Sequence, residues 1–352
     1  MLAACGGGGG GDGTPTGSNS AGAADTAGNT GSTGGSAATV SGYAYRAVPA
    51  VDSGAGFLAQ LQAQGAEGYH FIGPLVFEAD RNVGISNMFV KDLANTYDYR
   101  LEDVQASAEG KLQQLNAQGQ QGYRYLGDIV VGRLVIDDNS QSSISQKTIF
   151  IRNQNAPGRY SYRFETPARG ADAFLGQVNQ QGGEGYRFLG DLAFGAPTAQ
   201  TIRRIFMRND NASPAPRYTW RALAAPADRD ATLAQLNAQR KEGYRLKGPN
   251  VLDDLTQSSQ GNGQVDAQGS NIQAVAGSTV SNLYMKEEGS AATFSYRFES
   301  MRTSADAFVT FADRLGRDGF GFLMPTTMGH LYFKPSSCTG ENCAVMYSLT
   351  QS

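Results

Sequence analysis

The chain is poor in the residues that most often mark a chemical site. Of its 352 residues, two are histidine, three cysteine and one tryptophan. With His70 and His330 as the whole imidazole supply, a histidine-rich metal centre is excluded, and a nucleophile–histidine pair has two candidate bases at most. No apolar run approaches the roughly 20 residues that a bilayer-spanning helix needs. The 29 basic residues fall short of the 32 acidic ones. The chain therefore has no cationic excess to neutralise phosphates, and nucleic acid is not expected as a partner. The acidic steps Asp137-Asp138 and Asp253-Asp254 lack the remaining ligands of a calcium loop at their required spacing. Neither a metal nor a cofactor is expected.

What is present begins with a tether. From Gly6 to Gly42 the chain is nearly all Gly, Ser, Ala, Thr, Asn and Asp, a composition that buries too little apolar area to offset the entropy of ordering. Residues 6–42 are expected to be a disordered linker with a root-mean-square reach of roughly 30–35 Å. The residues before it, Leu2-Ala3-Ala4-Cys5, resemble the end of a bacterial lipoprotein signal peptide, residues 1–5, cut before the cysteine. No basic and apolar stretch precedes them, so the true start of the precursor is expected upstream. The resemblance implies a lipid on Cys5 and a membrane as partner. Gly6, where an aspartate often retains such proteins at the inner membrane, points to the outer membrane, facing the periplasm or the exterior. The alternative is an unanchored cytoplasmic protein. Cys338 and Cys343, in SSCTGENCAV, read as a disulfide across a short loop, which contributes about 2 kcal/mol in the chain-entropy account. A zinc site would need two further ligands, and only His330 is near in sequence.

The rest of the chain says one thing five times. Openers YAYR, YDYR, YSYR, YTWR and FSYR start at Tyr43, Tyr97, Tyr160, Tyr218 and Phe294, and each reaches a Gly-aromatic pair at Tyr69, Tyr123, Tyr186, Tyr244 or Phe320, an interval of 26 residues every time. A constant interval predicts one stiff unit. The alternating opener predicts a strand. Apolar residues three apart, Leu58/Leu61, Leu112/Leu115, Leu175/Val178 and Leu233/Leu236, predict a helix with an apolar stripe, as do Val309 and Ala312 in the last copy. Gly65, Gly119, Gly182 and Gly316 stand where a left-handed helix cap is expected, with Arg240 as the exception. Gly68, Gly122, Gly185, Gly243 and Gly319 are expected to turn the backbone into a second strand.

A third strand closes each copy: MFVK, IFIR, IFMR, LYMK and LYFK, ending at Lys91, Arg152, Arg208, Lys286 and Lys334. Its variable distance from the second strand predicts a surface hairpin that accepts insertions, the longest, Thr256 to Ser281, being mobile. The tail AVMYSLT is expected to pair with LYFK. The fold class is therefore α+β: five tandem strand-helix-strand-strand repeats, each a small sheet with one helix packed on it, at 43–95, 96–158, 159–216, 217–292 and 293–352. Whether they form an open array or a closed ring is left open.

The opener, the Leu-Asn of the helix at Leu115-Asn116 and Leu236-Asn237, the turns Gly65-x-x-Gly68 and Gly182-x-x-Gly185, and the closing Phe150-x-Arg152 together resemble a small bacterial domain family of unknown function. That family brings no activity, and its motifs read as folding signals. Two readings compete for the recurrent Arg46, Arg100, Arg163, Arg221 and Arg297. They form a ladder for anionic ligands, or internal ion pairs with Glu67, Glu184, Glu242 and Asp318, Gln121 standing in the remaining copy. The basic residues Arg124, Arg187 and Arg245 are expected on a solvated face. The aromatics are expected in the core rather than on a stacking platform. No catalytic constellation is identified, which favours a lipid-anchored binding or scaffolding protein whose partner is an envelope protein or glycan. The alternative is a five-bladed α/β-ring hydrolase or transferase acting on guanidino compounds, resembling the amidinotransferase and arginine-deiminase group, with Cys343 as nucleophile beside His330.

Overall fold

The computed structural model describes residues 42–79, 82–92, 94–132, 144–196, 199–251, 280–338 and 345. Cys5, nearly all of the linker, most of the long insertion and Cys343 lie outside them. The five copies have the expected order. Copy 1 comprises β1 (Ala44–Pro49), α1 (Gly54–Ala66), β2 (His70–Ala79) and β3 (Asn82–Lys91), and copy 2 comprises β4 (Tyr97–Asp103), α2 (Ala108–Gln120), β5 (Arg124–Val131) and β6 (Ser145–Asn153). In copy 3 follow β7 (Tyr160–Glu165), α3 (Ala171–Gly183), β8 (Arg187–Phe194) and β9 (Thr201–Asn209), and in copy 4 β10 (Tyr218–Ala224), α4 (Arg229–Lys241), β11 (Arg245–Val251) and β12 (Val280–Glu287). Copy 5 is β13 (Thr293–Glu299), α5 (Ala305–Arg317), β14 (Gly321–Thr326) and β15 (Gly329–Ser336). Every sheet is antiparallel, with the closing strand in the middle, as in β1-β3-β2.

Each helix has 13 residues. Four start on a side-chain cap: Ser53, Ser107, Asp228 and Ser304 accept from the backbone N–H three residues on, which satisfies a donor the helix leaves open. All five end alike. Tyr69 N–H reaches Gln64 O at 2.9 Å and Gly68 N–H reaches Gly65 O at 3.0 Å, with Gly68 at φ +89°, the paired bonds of a Schellman turn. Gly122, Gly185, Gly243 and Gly319 repeat it.

The left-handed residue is therefore this second glycine. The expectation placing it at Gly65, Gly119, Gly182 and Gly316 is wrong, because those four lie inside the helices without positive φ. They are glycine because the next copy's opening strand runs over them: a Cβ on Gly182 would meet Tyr218 O at 2.2 Å, and one on Gly119 would meet Tyr160 O at 2.2 Å. At the fourth junction Arg240 instead donates to Ser295 Oγ at 2.8 Å.

That close approach shows how the copies join. In copy 1, Arg46, Phe89 and Phe71 share a register row, and Tyr45, Val90 and His70 share the adjacent one, so the two rows face opposite sides of the sheet. The first side packs on the copy's own helix, Phe57 meeting Phe71 edge-on at 5.4 Å. The second packs on the helix of the preceding copy, Tyr45 meeting Phe308 of α5 at 6.1 Å. Each helix thus lies between two sheets, with α1 against β4, α2 against β7, α3 against β10, α4 against β13 and α5 against β1. The last contact closes the copies into a ring. Leu61, Leu115, Val178, Leu236 and Ala312 are wholly buried at the centre of these sandwiches.

Polar bonds set the same register at the seams. An outer strand presents unpaired backbone groups, and here the neighbours satisfy them. Asn116 of α2 accepts from Tyr162 N–H at 2.9 Å and donates to Tyr162 O at 3.3 Å, and Asn179 of α3 treats Trp220 likewise at 2.7 and 3.3 Å. At the closing seam Asp313 accepts from Tyr45 N–H at 2.7 Å. On the other edge, each second strand has a bulge, as between Phe71 and Gly73. The N–H before it donates to the second tyrosine of the next opener: Phe71 to Tyr99 Oη at 2.8 Å, Tyr125 to Tyr162, Leu246 to Tyr296 and Phe322 to Tyr45. Trp220 replaces that tyrosine at the third seam and packs edge-on against Phe188 at 5.9 Å.

The predicted pairing of the tail with β15 fails. β15 is the middle strand of its sheet, with both edges occupied by β13 and β14, and the one described tail residue, Val345, bonds to copy 1 instead.

Two glycines of α3 test the seam. Gly182→Ala should destabilise by about 1–3 kcal/mol through overpacking against Tyr218 O, whereas Gly176→Ala, where a Cβ meets nothing within 4 Å, should stabilise by about 0.5–1 kcal/mol. Urea denaturation of both variants measures the difference in sign.

Candidate functional site

Two sets of cations recur around the ring, and the structure separates their roles. The opener arginines lie over the Gly-aromatic rings: Arg46 at 4.1 Å from the Tyr69 centroid, Arg100 at 4.0 Å from Tyr123, Arg163 at 4.1 Å from Tyr186, Arg221 at 4.2 Å from Tyr244 and Arg297 at 6.0 Å from Phe320. Acids hold three of them, with Arg46–Glu67 at 2.6 Å, Arg163–Glu184 at 2.5 Å and Arg221–Glu242 at 2.6 Å. Arg100 donates to Gln118 and Gln121, each at 2.8 Å. Copy 5 departs: Arg297 pairs with Glu299 on its own strand rather than with Asp318, whose carbonyl accepts from Lys334.

The closing cations also lie over these aromatics, Arg152 at 4.6 Å from Tyr123 and Arg208 at 4.8 Å from Tyr186, with Lys91, Lys286 and Lys334 at 5.6–5.8 Å. Each aromatic therefore meets two cations. These half-exposed ion pairs contribute about 0–1 kcal/mol each, and the ring contacts about 0.5–1 kcal/mol. The pattern explains why every closing strand ends in Lys or Arg, a role the sequence reading missed. It also missed Lys111, fully buried and bonded to Asp128 at 2.6 Å and Thr148 at 2.5 Å. Burial lowers its ammonium pKa, and Asp128 opposes that shift. The available signal was its place in α2, where other helices carry Phe57, Phe174 and Phe308.

The second set lies one residue after each aromatic: His70, Arg124, Arg187 and Arg245, with Gly321 in copy 5. The expected solvated face is wrong for these arginines. Arg187 and Arg245 are 4% and 7% exposed and Arg124 is half-buried, because they share a register row with Tyr99, Tyr162 or Trp220, on the side that meets the preceding helix. The guanidinium of Arg245 rests 4.2 Å from the Phe333 ring centroid. Burial lowers its pKa to about 10, with the phenols of Tyr296 and Tyr43 opposing the shift.

Lys247 joins them from the bulge of copy 4. Burial first, then the charges of Arg187, Arg245 and Arg124, push its pKa down to about 7. These cations come from copies 2, 3 and 4. Copies 2 and 4 are not neighbours, so the space they share is the axis of the ring.

Copies 5 and 1 complete that axis differently. Val345 N–H donates to Asp92 Oδ2 at 3.2 Å, His70 Nε2 meets Val345 O at 3.0 Å, and His70 Nδ1 stands 3.5 Å from Asp92 Oδ1. A Cβ on Gly321 would meet Val345 Cγ2 at 2.7 Å, so the valine fills the place of the missing fifth side chain. His330 is elsewhere, edge-on to Phe308 at 5.3 Å and Phe322 at 5.4 Å. Burial, helped by Arg302, lowers its pKa to about 4, which leaves the imidazole neutral at pH 7. Cys338 is buried just beyond the far end of β15, the strand that carries His330.

The family described as PT dipeptide repeat lipoprotein matches residues 84–269, more than half of the chain. The chain belongs to that family: it is a lipoprotein carrying tandem repeats, a class attached to the cell envelope through lipid. No curated protein matches it. Among the described residues no helix is long and apolar enough to cross a membrane.

The depressed Lys247 pKa has a sign that can be measured. The unfolded chain, with the ordinary lysine value of 10.5, holds this proton at pH values where the folded protein, near 7, has released it, so stability should rise with pH between those limits. Between pH 7 and 9.5 the midpoint of urea unfolding should climb relative to that of Lys247→Leu, in which this contribution is absent.

Proposed function

We propose that the protein is an outer-membrane lipoprotein, lipidated at Cys5, whose ring has a non-catalytic binding or scaffolding role toward an envelope protein or glycan. The observation that supports this reading is where the recurrent side chains are engaged. The Asn of the helix, the second Tyr and the Arg of the opener, and the Lys or Arg of the closing strand all bond within or between copies. What varies from copy to copy is the hairpin connection, which a ring of like copies repeats at equivalent places around its axis. Those connections supply the contacts, and the linker 6–42 holds the ring away from the lipid. A disulfide between Cys338 and Cys343 belongs to the same reading.

Ring closure also favours the second reading, a hydrolase or transferase of guanidino compounds with Cys343 as nucleophile, because that group is built on such a ring and Cys343 lies two residues from Val345 at the axis.

Mass spectrometry of the mature protein from its own membranes should find an acylated N-terminal cysteine corresponding to Cys5. Thiol titration of the unreduced, denatured protein should find no reactive Cys338 or Cys343. An unmodified Met1 would end the lipidation reading, and a free Cys343 would favour the enzyme.

A further inference from the structure

The first four helices carry a glutamine at one equivalent place: Gln60, Gln114, Gln177 and Gln235. Each donates to a carbonyl at or just past the end of its opening strand, Pro49, Asp103, Thr166 or Ala224, at 2.8–3.0 Å. In copies 1, 3 and 4 the glutamine oxygen also accepts from polar groups around it. Asn87 reaches Gln60 at 2.8 Å, Arg204 and Ala168 N–H reach Gln177 at 2.6 and 3.2 Å, and Asn282 and Tyr284 Oη reach Gln235 at 2.9 and 2.7 Å.

Copy 5 has Phe311 at that place and keeps the polar groups. His330 stands where copy 4 has Asn282, and Tyr332 where it has Tyr284. Arg302 precedes its helix by three residues, as Ala168 does. The ring of Phe311 meets two guanidinium groups, Arg302 at 3.7 Å and Arg314 at 4.7 Å from its centroid, and Tyr332 at 6.4 Å. A phenyl ring accepts no ordinary hydrogen bond, so three buried atoms, Arg302 Nε, His330 Nδ1 and Tyr332 Oη, have no partner in the protein. His330 and Tyr332 are 4% and 0% exposed. Buried polar groups of this kind are costly unless something pairs with them.

We propose that copy 5 binds an internal water at the place the glutamine oxygen takes in the other copies, accepting from Arg302 Nε–H and Tyr332 Oη–H and donating to His330 Nδ1. Two donors and one lone pair are the complement of one water, and about three such bonds are usual for a buried one. The neutral imidazole of His330 supplies the lone pair. The site is independent of lipid attachment and of any ligand of the ring.

High-resolution crystallography of the purified chain, native and Phe311→Gln, tests it. The native chain should show one isolated oxygen within about 3.2 Å of all three atoms, and Phe311→Gln should lose it to the new side-chain oxygen. No such oxygen in the native chain, or one that persists in Phe311→Gln, would overturn the proposal. Nitrogen-15 NMR of the native chain at pH 7 gives a second test that needs no variant. The neutral His330 ring should carry its proton on Nε2; a proton on Nδ1 would leave three donors for the two lone pairs of a water and would overturn it as well.

Discussion

Each helix in this protein belongs to two sheets, and the rest of the structure follows from that sharing. A three-stranded sheet with one helix has two faces and covers only one of them, so a single copy would leave Tyr45, Val90 and their equivalents in water. The next copy's sheet needs the back of the previous helix as much as the helix needs it. Such a chain of mutual cover ends either in a special cap or by returning to its start. Here α5 returns to β1 through the contacts used at the other seams, with Gly316 O bonded to Tyr43 N–H at 3.2 Å and Asp313 to Tyr45 N–H.

Much of this was legible in the sequence because it is local or periodic. The 26-residue interval, the alternating opener and the leucine stripe carry the strand, helix and hairpin of each copy, and the aromatics are in the core as their register implied. What was not legible depends on the neighbouring copy. Gly65, Gly119, Gly182 and Gly316 look like caps in one chain segment, and only the strand lying across them shows that they are small for the sake of contact. The arginines after the Gly-aromatic pair look solvated for the same reason: period-two patterning tells which side of a sheet a residue is on, and closure decides whether that side meets water. The tail was misread because LYFK has the look of an edge strand, while the sheet order makes it central.

The departures from five-fold repetition carry the information about function. The recurrent arginines, asparagines and tyrosines serve each copy in similar ways, which is why a ladder of identical cations says little about a ligand. The axis is where the copies differ: His70, three arginines and Gly321 occupy one equivalent position, Lys247 replaces a buried aliphatic, and Val345 fills the gap at copy 5. A ring lets non-adjacent copies contribute to one small space, something an open array of the same units cannot do.

Closure at α5 and β1 is the claim on which the axis depends. Native-state hydrogen exchange on Asp313→Ala tests it most directly, because that substitution removes the acceptor of the Tyr45 N–H. A closed ring predicts faster exchange at Tyr45 and an equal loss of protection in the slowest amides of copy 3, which lies away from the seam. Unchanged exchange at Tyr45 and throughout copy 3 would contradict it.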